Sequence, residues 1–202
     1  EAHSVMSEDG KSVVHDWLWM EEREHINVAV LDSDDKFVLM KQKKYGISSE
    51  SLATVGGFIE DGESPFEAAL REVAEELGMG SKATKSRLEK DPKDKLTGGF
   101  RDGRISEEEM VDWVFLGKYR TSTNRGGGFV YDYFLKNAVP IAPNGGTSKF
   151  KGSGEGEKQN LLKLTIPETV AAVKNGEIQE VKWTNALSLS LLQLFTKDLE
   201  NK

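Results

Sequence analysis

A chain of 202 residues, 37% hydrophobic and 30% charged, is long enough to bury a real core, and residues 1–202 read as one domain with room for insertions. The absence of Cys excludes disulfide frameworks, thiolate metal sites and cysteine nucleophiles together. A formal net charge of −7 argues against loose binding to a nucleic-acid backbone, and no run of about 18 apolar residues is present to span a membrane.

The chain starts at Glu1 rather than Met, so a trimmed N-terminus is expected; the expected location is cytoplasmic, with organelle targeting left open. Residues 1–11 are polar and expected to fray. Val13–Glu24 reads as extended, and Ile26–Leu31 and Phe37–Met40 as strands joined by the turn Asp32–Asp35. Tyr45–Ser51 reads as a loop, and Leu52–Val55 leads into Gly56 and Gly57. Ser64–Leu77 carries the strongest helix signal. Ser64 is a candidate N-cap, Pro65 suits the first helical position, Glu67 completes a capping box, and Gly78 is a natural stop. Phe66, Leu70, Val73 and Leu77 give that helix one apolar face.

Gly80–Glu109 is polar and Lys-rich and reads as an inserted loop, with a short hairpin expected around Gly98–Arg104. Strand signals resume at Val111–Tyr119 and Phe129–Leu135, joined by the Asn124–Gly128 turn. Asn144–Gln159 reads as a second Gly-, Ser- and Lys-rich loop. Leu161–Leu164 is a short strand signal, Pro167–Lys174 a short helix ending at Asn175-Gly176, and Thr184–Leu199 a terminal helix. Strands and helices interleave without a regular βαβ period, so the expected class is mixed α/β (α+β), a sheet sandwiched between helices.

The chemistry concentrates in Gly57–Met79. Glu72, Glu75 and Glu76 stand three and four residues apart, which sets their carboxylates on one side of the helix, away from Leu70, Val73 and Leu77. Like charges so placed repel, and a hard divalent cation relieves that repulsion because Mg²⁺ takes carboxylate oxygens and completes its shell with water and phosphates. Glu63 precedes the helix and can turn back toward it, Arg71 can pin a carboxylate with its planar fork, and Gly56, Gly57 and Gly62 allow a tight bend. Alone, the three acids would read as a solvated helix face.

The whole pattern says more. Gly57, five residues, Glu63, seven residues, Arg71-Glu72, an aliphatic, any residue, Glu75-Glu76, any residue, Gly78 and an aliphatic together resemble the complete Nudix box. The resemblance implies a mixed sheet sandwiched between helices, and attack of water on one phosphorus of a nucleoside diphosphate linked to another moiety. It further implies Mg²⁺, or Mn²⁺ in its place. Glu72 and Glu76 would be metal ligands with Glu75 sharing, Glu63 would orient Arg71, and the Gly56 carbonyl would be a further metal contact.

Outside the box, Lys41–Ile47, Gly154–Asn160 and Ile166–Leu187 loosely resemble the ADP-ribose and ADP-sugar pyrophosphatase branch, although Ala53 and Val55 stand where that branch usually carries Glu and Pro. In that branch the general base comes from a mobile late loop. The resemblance therefore implies Glu155 as general base and Glu157 as an extra metal ligand. It also implies a homodimer in which the N-terminal strands make contacts, a role open to the Val13–Met20 segment.

Trp17, Trp19 and Tyr45 are candidates for stacking on a nucleobase, and Arg125 for reaching a phosphate or terminal ribose. His3, His15 and His25 show no ligand spacing and are expected to be incidental. The small-nucleotide substrate stays open at this point between an ADP-sugar and NADH, a dinucleoside polyphosphate or an oxidised nucleoside triphosphate. A non-catalytic nucleotide sensor is the alternative of another class.

Overall fold

The computed structural model describes residues 1–91, 107–141 and 160–200. Eight strands form one mixed sheet: β3 (His25–Asp32), β4 (Lys36–Gln42), β5 (Ser51–Ala53), β6 (Val55–Phe58), β7 (Met79–Gly80), β8 (Trp113–Arg120), β9 (Phe129–Pro140) and β10 (Asn160–Thr165). The continuous apolar run in β3 is what a central strand covered on both faces requires, and all its residues are buried. On one edge β3 pairs in parallel with β9; on the other it pairs first with β6, then with β4. Partners β3 and β4 meet only near their turn, where the Asp32 carboxylate accepts the backbone N–H groups of Asp34 and Lys36.

Adjacent strand residues face opposite ways, so β9 shows which helix covers which face. Tyr133 packs on Phe66 of α1 (Pro65–Leu77), whereas Asp132 accepts a hydrogen bond from Asn185 of α5 (Val181–Glu200). The sheet thus lies between α1 and α5, as the expected class requires. The α1 signals translate directly. The Ser64 hydroxyl accepts from Glu67 N–H, the Glu67 carboxylate accepts from Ser64 N–H, and Gly78 ends the helix in the left-handed region at φ 63°. Helix α4 (Ile166–Lys174) repeats the device with Thr165 and Glu168. No helix among the described residues is long and apolar enough to cross a membrane.

Two expectations fail. Residues 1–11 do not all fray: β1 (Ala2–Met6) pairs antiparallel with β2 (Val13–Leu18) as a separate hairpin. Nor is the segment after Gly80 all loop. It carries α2 (Lys82–Lys90) and the single turn α3 (Glu107–Met110). Helix α2 lacks an apolar stripe. Polar groups fix it instead: Ser81 caps it, and the Ser81 and Thr84 hydroxyls both donate to the buried Glu109 carboxylate. The hairpin expected at Gly98–Arg104 and the Asn144–Gln159 loop lie outside the described residues.

Asp132 is fully buried and accepts from two neutral amides, Asn185 at 2.6 Å and Asn27 at 3.5 Å. Burial pushes its carboxyl up to about 6, only partly opposed by those hydrogen bonds. A folded-state pKa above the unfolded one means the native state binds the proton more tightly. The charged form therefore costs stability above pH 6, and that cost fades as pH falls toward the ordinary value near 3.8. The difference is roughly 3 kcal/mol. Asp132→Asn is expected to melt higher than wild type at pH 8 and to lose this advantage by pH 4. Equal melting offsets at both pH values would refute the assignment.

Candidate active site

The loop between β6 and α1 turns back so that Glu63 faces the helix. Its carboxylate clamps Arg71 from both oxygens, at 2.8 Å from Nε and 2.9 Å from Nη2, and also accepts the N–H of Glu60 at 3.0 Å. Arg71 Nη2 also donates to the Phe58 carbonyl at 3.0 Å, tying the helix to the end of β6. Arg71 Nη1 reaches Glu72 at 2.7 Å and Glu75 at 3.3 Å. One guanidinium thus holds three carboxylates in a place where all four side chains are largely buried. Hydrogen bonding to Glu63 above all raises the Arg71 pKa, locking its charge in place. Burial raises the Glu72 pKa, with Arg71 pulling the other way.

Gly57 has a steric reason to be glycine. A Cβ there would overlap the Glu72 carboxylate, which lies against the β6 backbone. A Cβ on Gly56 would come within 2.7 Å of the Asn27 side-chain oxygen. Gly57→Ala is expected to displace Glu72 and lower kcat about a hundredfold, the usual effect of roughly 1 Å of misplacement. The melting temperature should change far less than kcat, and a kcat within threefold of wild type would show that the Glu72 position does not matter.

Of Glu63, Glu72, Glu75 and Glu76, only Glu76 lines the large cavity beside this cluster, which has a volume of about 500 Å³. Its lining includes Gly56, Gly57 and Phe58 of β6, His25 and Asn27 of β3, Met40 and Gln42 of β4, and Thr54 and Trp183. Arg23, Lys44 and Lys182 line it together with Glu22, Glu76 and Glu180, so its charged lining is balanced. As the side chains stand, no three acids or histidines among the described residues converge as a metal-binding group. Glu72 and Glu75 are both turned onto Arg71.

The expected site residues therefore divide. Glu63, Arg71, Glu72 and Glu75 form one bonded cluster, and Glu76 and Gly56 border the adjoining cavity. Trp17, Tyr45 and Arg125 do not line that cavity. The Trp17 ring already carries Arg125 at 5.5 Å, and its N–H donates to the Asn124 carbonyl at 2.6 Å, while Tyr45 stands fully exposed. Trp19 is likewise engaged, stacked on His3. Glu155 and Glu157 lie outside the described residues. His25, expected to be incidental, lines the cavity beside Asn27, Gln42 and Thr54, which carry no motif or ligand spacing in the sequence. Their signal is visible with hindsight as polar residues inside otherwise apolar strand segments.

A family model for the NUDIX domain matches residues 21–129. Among solved structures the chain superposes on an ADP compounds hydrolase with a TM-score of 0.65 at 19% identity, over 97% of this chain and 84% of that one. It also matches a NUDIX hydrolase from Nitrosomonas europaea with a TM-score of 0.49 at 17% identity, over 85% of this chain and 89% of that one. Identities this low speak to fold alone, and the second match adds no argument. No curated protein matches the chain.

Proposed function

The chain belongs to the Nudix hydrolase family, and from that premise we propose that it hydrolyses the diphosphate of an ADP-sugar, most directly ADP-ribose, to AMP and a sugar phosphate. The observation that carries the reading is that Glu76, next in the chain to the Glu63–Arg71–Glu72–Glu75 cluster, lines a 500 Å³ cavity, a volume suited to the moiety beyond the diphosphate. The name of the superposed ADP compounds hydrolase points the same way.

The donor set fits a hard divalent cation, because Glu63, Glu72 and Glu75 share the single charge of Arg71, Glu76 follows Glu75 on the same helix, and all offer only oxygen. Glu72, Glu75, Glu76 and the Gly56 carbonyl would hold it, with Glu157 as a further ligand. Mg²⁺, or Mn²⁺ in its place, would supply charge neutralisation at the phosphates and acidify a bound water. The protein's own residues do the rest. Glu63 fixes Arg71, and Arg71 holds Glu75 and Glu72, the latter against the β6 backbone. Arg23, Lys44 and Lys182 are the cavity's cations available to the diphosphate, and Glu155 would take the proton from the attacking water. The water oxygen forms the new P–O bond as the bridging P–O bond breaks, leaving a phosphate on each fragment. A homodimer through the β1–β2 hairpin is part of the same reading, supported by the exposed Val5, Met6, Val13, Val14, Leu18 and Met20.

The test is hydrolysis in Mg²⁺ across ADP-ribose, ADP-glucose, NADH, a dinucleoside polyphosphate and 8-oxo-dGTP. Preference for ADP-ribose or ADP-glucose supports the reading. Preference for another compound keeps the hydrolase and discards the substrate, and nucleotide binding without turnover of any compound discards both.

A further inference from the structure

Three side-chain atoms in the walls of the cavity have no hydrogen-bond partner: His25 Nε2, Gln42 Oε1 and Thr54 Oγ1. Their residues are 7%, 8% and 1% exposed, so their partners must come from the protein or from within the cavity. A buried polar atom without a partner is costly, and three around one cavity are more than chance vacancies in a native core. Register accounts for two of them. His25 lies opposite Phe58 and Asn27 opposite Gly56 across β3 and β6, and Thr54, two residues before Gly56, continues that face. The β4 strand adds Gln42 at its end, opposite Ser51.

The polarity of the set is also fixed. His25 Nδ1 lies 3.2 Å from the Arg23 carbonyl, which can only accept, so Nδ1 carries the hydrogen. In the neutral ring Nε2 is then a bare acceptor, and burial together with nearby Lys182 lowers the His25 pKa and so favours that neutral ring. Gln42 Oε1 is a second acceptor. Thr54 can donate or accept. Two acceptors and a hydroxyl match a group that offers several donors which also accept.

We propose that His25, Gln42 and Thr54 are specificity residues that bind the hydroxyl groups of the sugar carried on the distal phosphate. The proposal rests on the ADP-sugar reading and names what recognises the sugar within it. The unpaired atoms are a stability cost borne by the free protein and relieved by the bound polyol. This predicts a trade that a purely structural role would not show. At nearly constant volume, Thr54→Val removes one polar atom, Oγ1, and Gln42→Met removes two, Oε1 and Nε2. Each is expected to raise the melting temperature of the ligand-free protein by about 2 °C or more. Each should also lower kcat/KM for ADP-ribose by tenfold to a hundredfold, on the order of one lost hydrogen bond to a buried group.

The comparison substrate is ADP whose β-phosphate carries an ethyl group in place of the sugar. The preference of wild type for ADP-ribose over this ester should shrink about tenfold in each variant. An unchanged preference, or a melting temperature several degrees lower, overturns the proposal. So does a changed preference between ADP-ribose and its hypoxanthine analogue, which would mean that the cavity reads the base. If wild type turns over no ADP-sugar, the proposed function fails and this inference falls with it. If wild type turns them over and the variants keep the preference, only the inference fails.

Discussion

Glu76→Gln is expected to lower kcat about a thousandfold on whichever diphosphate the enzyme prefers, with the melting temperature within about 3 °C of wild type. The magnitude follows from the several kcal/mol that a metal contributes to phosphoryl transition states, at about 1.4 kcal/mol per tenfold in rate. Glu76 is the one member of the cluster that borders the substrate-sized cavity. Arg71 holds Glu72 and Glu75, and Glu76, beside them in the chain, stands at the boundary between cluster and cavity. Gln keeps the shape and one oxygen but loses the charge that a hard cation selects. The assay is AMP release under saturating substrate, with Mg²⁺ varied. A loss below tenfold at all Mg²⁺ concentrations would remove Glu76 from the catalytic set.

Local signals were legible where they coincided with the packing. Helix α1 was readable because its cap, its proline, its stop and its apolar face all agree, and each of those features has its own partner in the structure. The central strand β3 was readable because burial on both faces imposes a continuous apolar run. Helix α2 was not readable, because its determinants are long-range: Ser81 and Thr84 are fixed by Glu109, more than 20 residues on in sequence.

The site divides in the same way. The Glu63–Arg71–Glu72–Glu75 cluster is local to one loop and one helix, so spacing alone exposes it. The cavity is assembled from β3, β4, β6 and the start of α5, and no local period marks His25, Gln42 or Thr54. Spacing also says nothing about which side-chain rotamers are occupied. It places Glu72, Glu75 and Glu76 at helical spacing but does not reveal that Arg71 holds Glu72 and Glu75.

Arg71→Met should therefore cost more than a surface charge would. The Arg71 side chain is 15% exposed, Glu63 6% and Glu72 14%, so the substitution strands carboxylates that water reaches poorly. Removing one partner of a buried ion pair costs about 3–5 kcal/mol, against about 0–1 kcal/mol at the surface. For a chain of this size that corresponds to a fall of roughly 6–20 °C in melting temperature. Arg71→Lys keeps the charge but cannot reproduce the fork onto both Glu63 oxygens, so it should fall between Met and wild type. The cluster also predicts how a cation redistributes these losses. With the guanidinium gone, Glu72 and Glu75 are released from Arg71, and a divalent ion becomes their only source of positive charge within the cluster. Saturating Mg²⁺ or Mn²⁺ should then raise the melting temperature of Arg71→Met by more than it raises wild type, by mass action on the folded state. Activity should stay low in the variant even where stability recovers, because the fixed position of Glu72 against Gly57 is lost with the arginine. A melting temperature within 2 °C of wild type, or an equal cation shift in both proteins, would show that Arg71 is not what holds the carboxylates together.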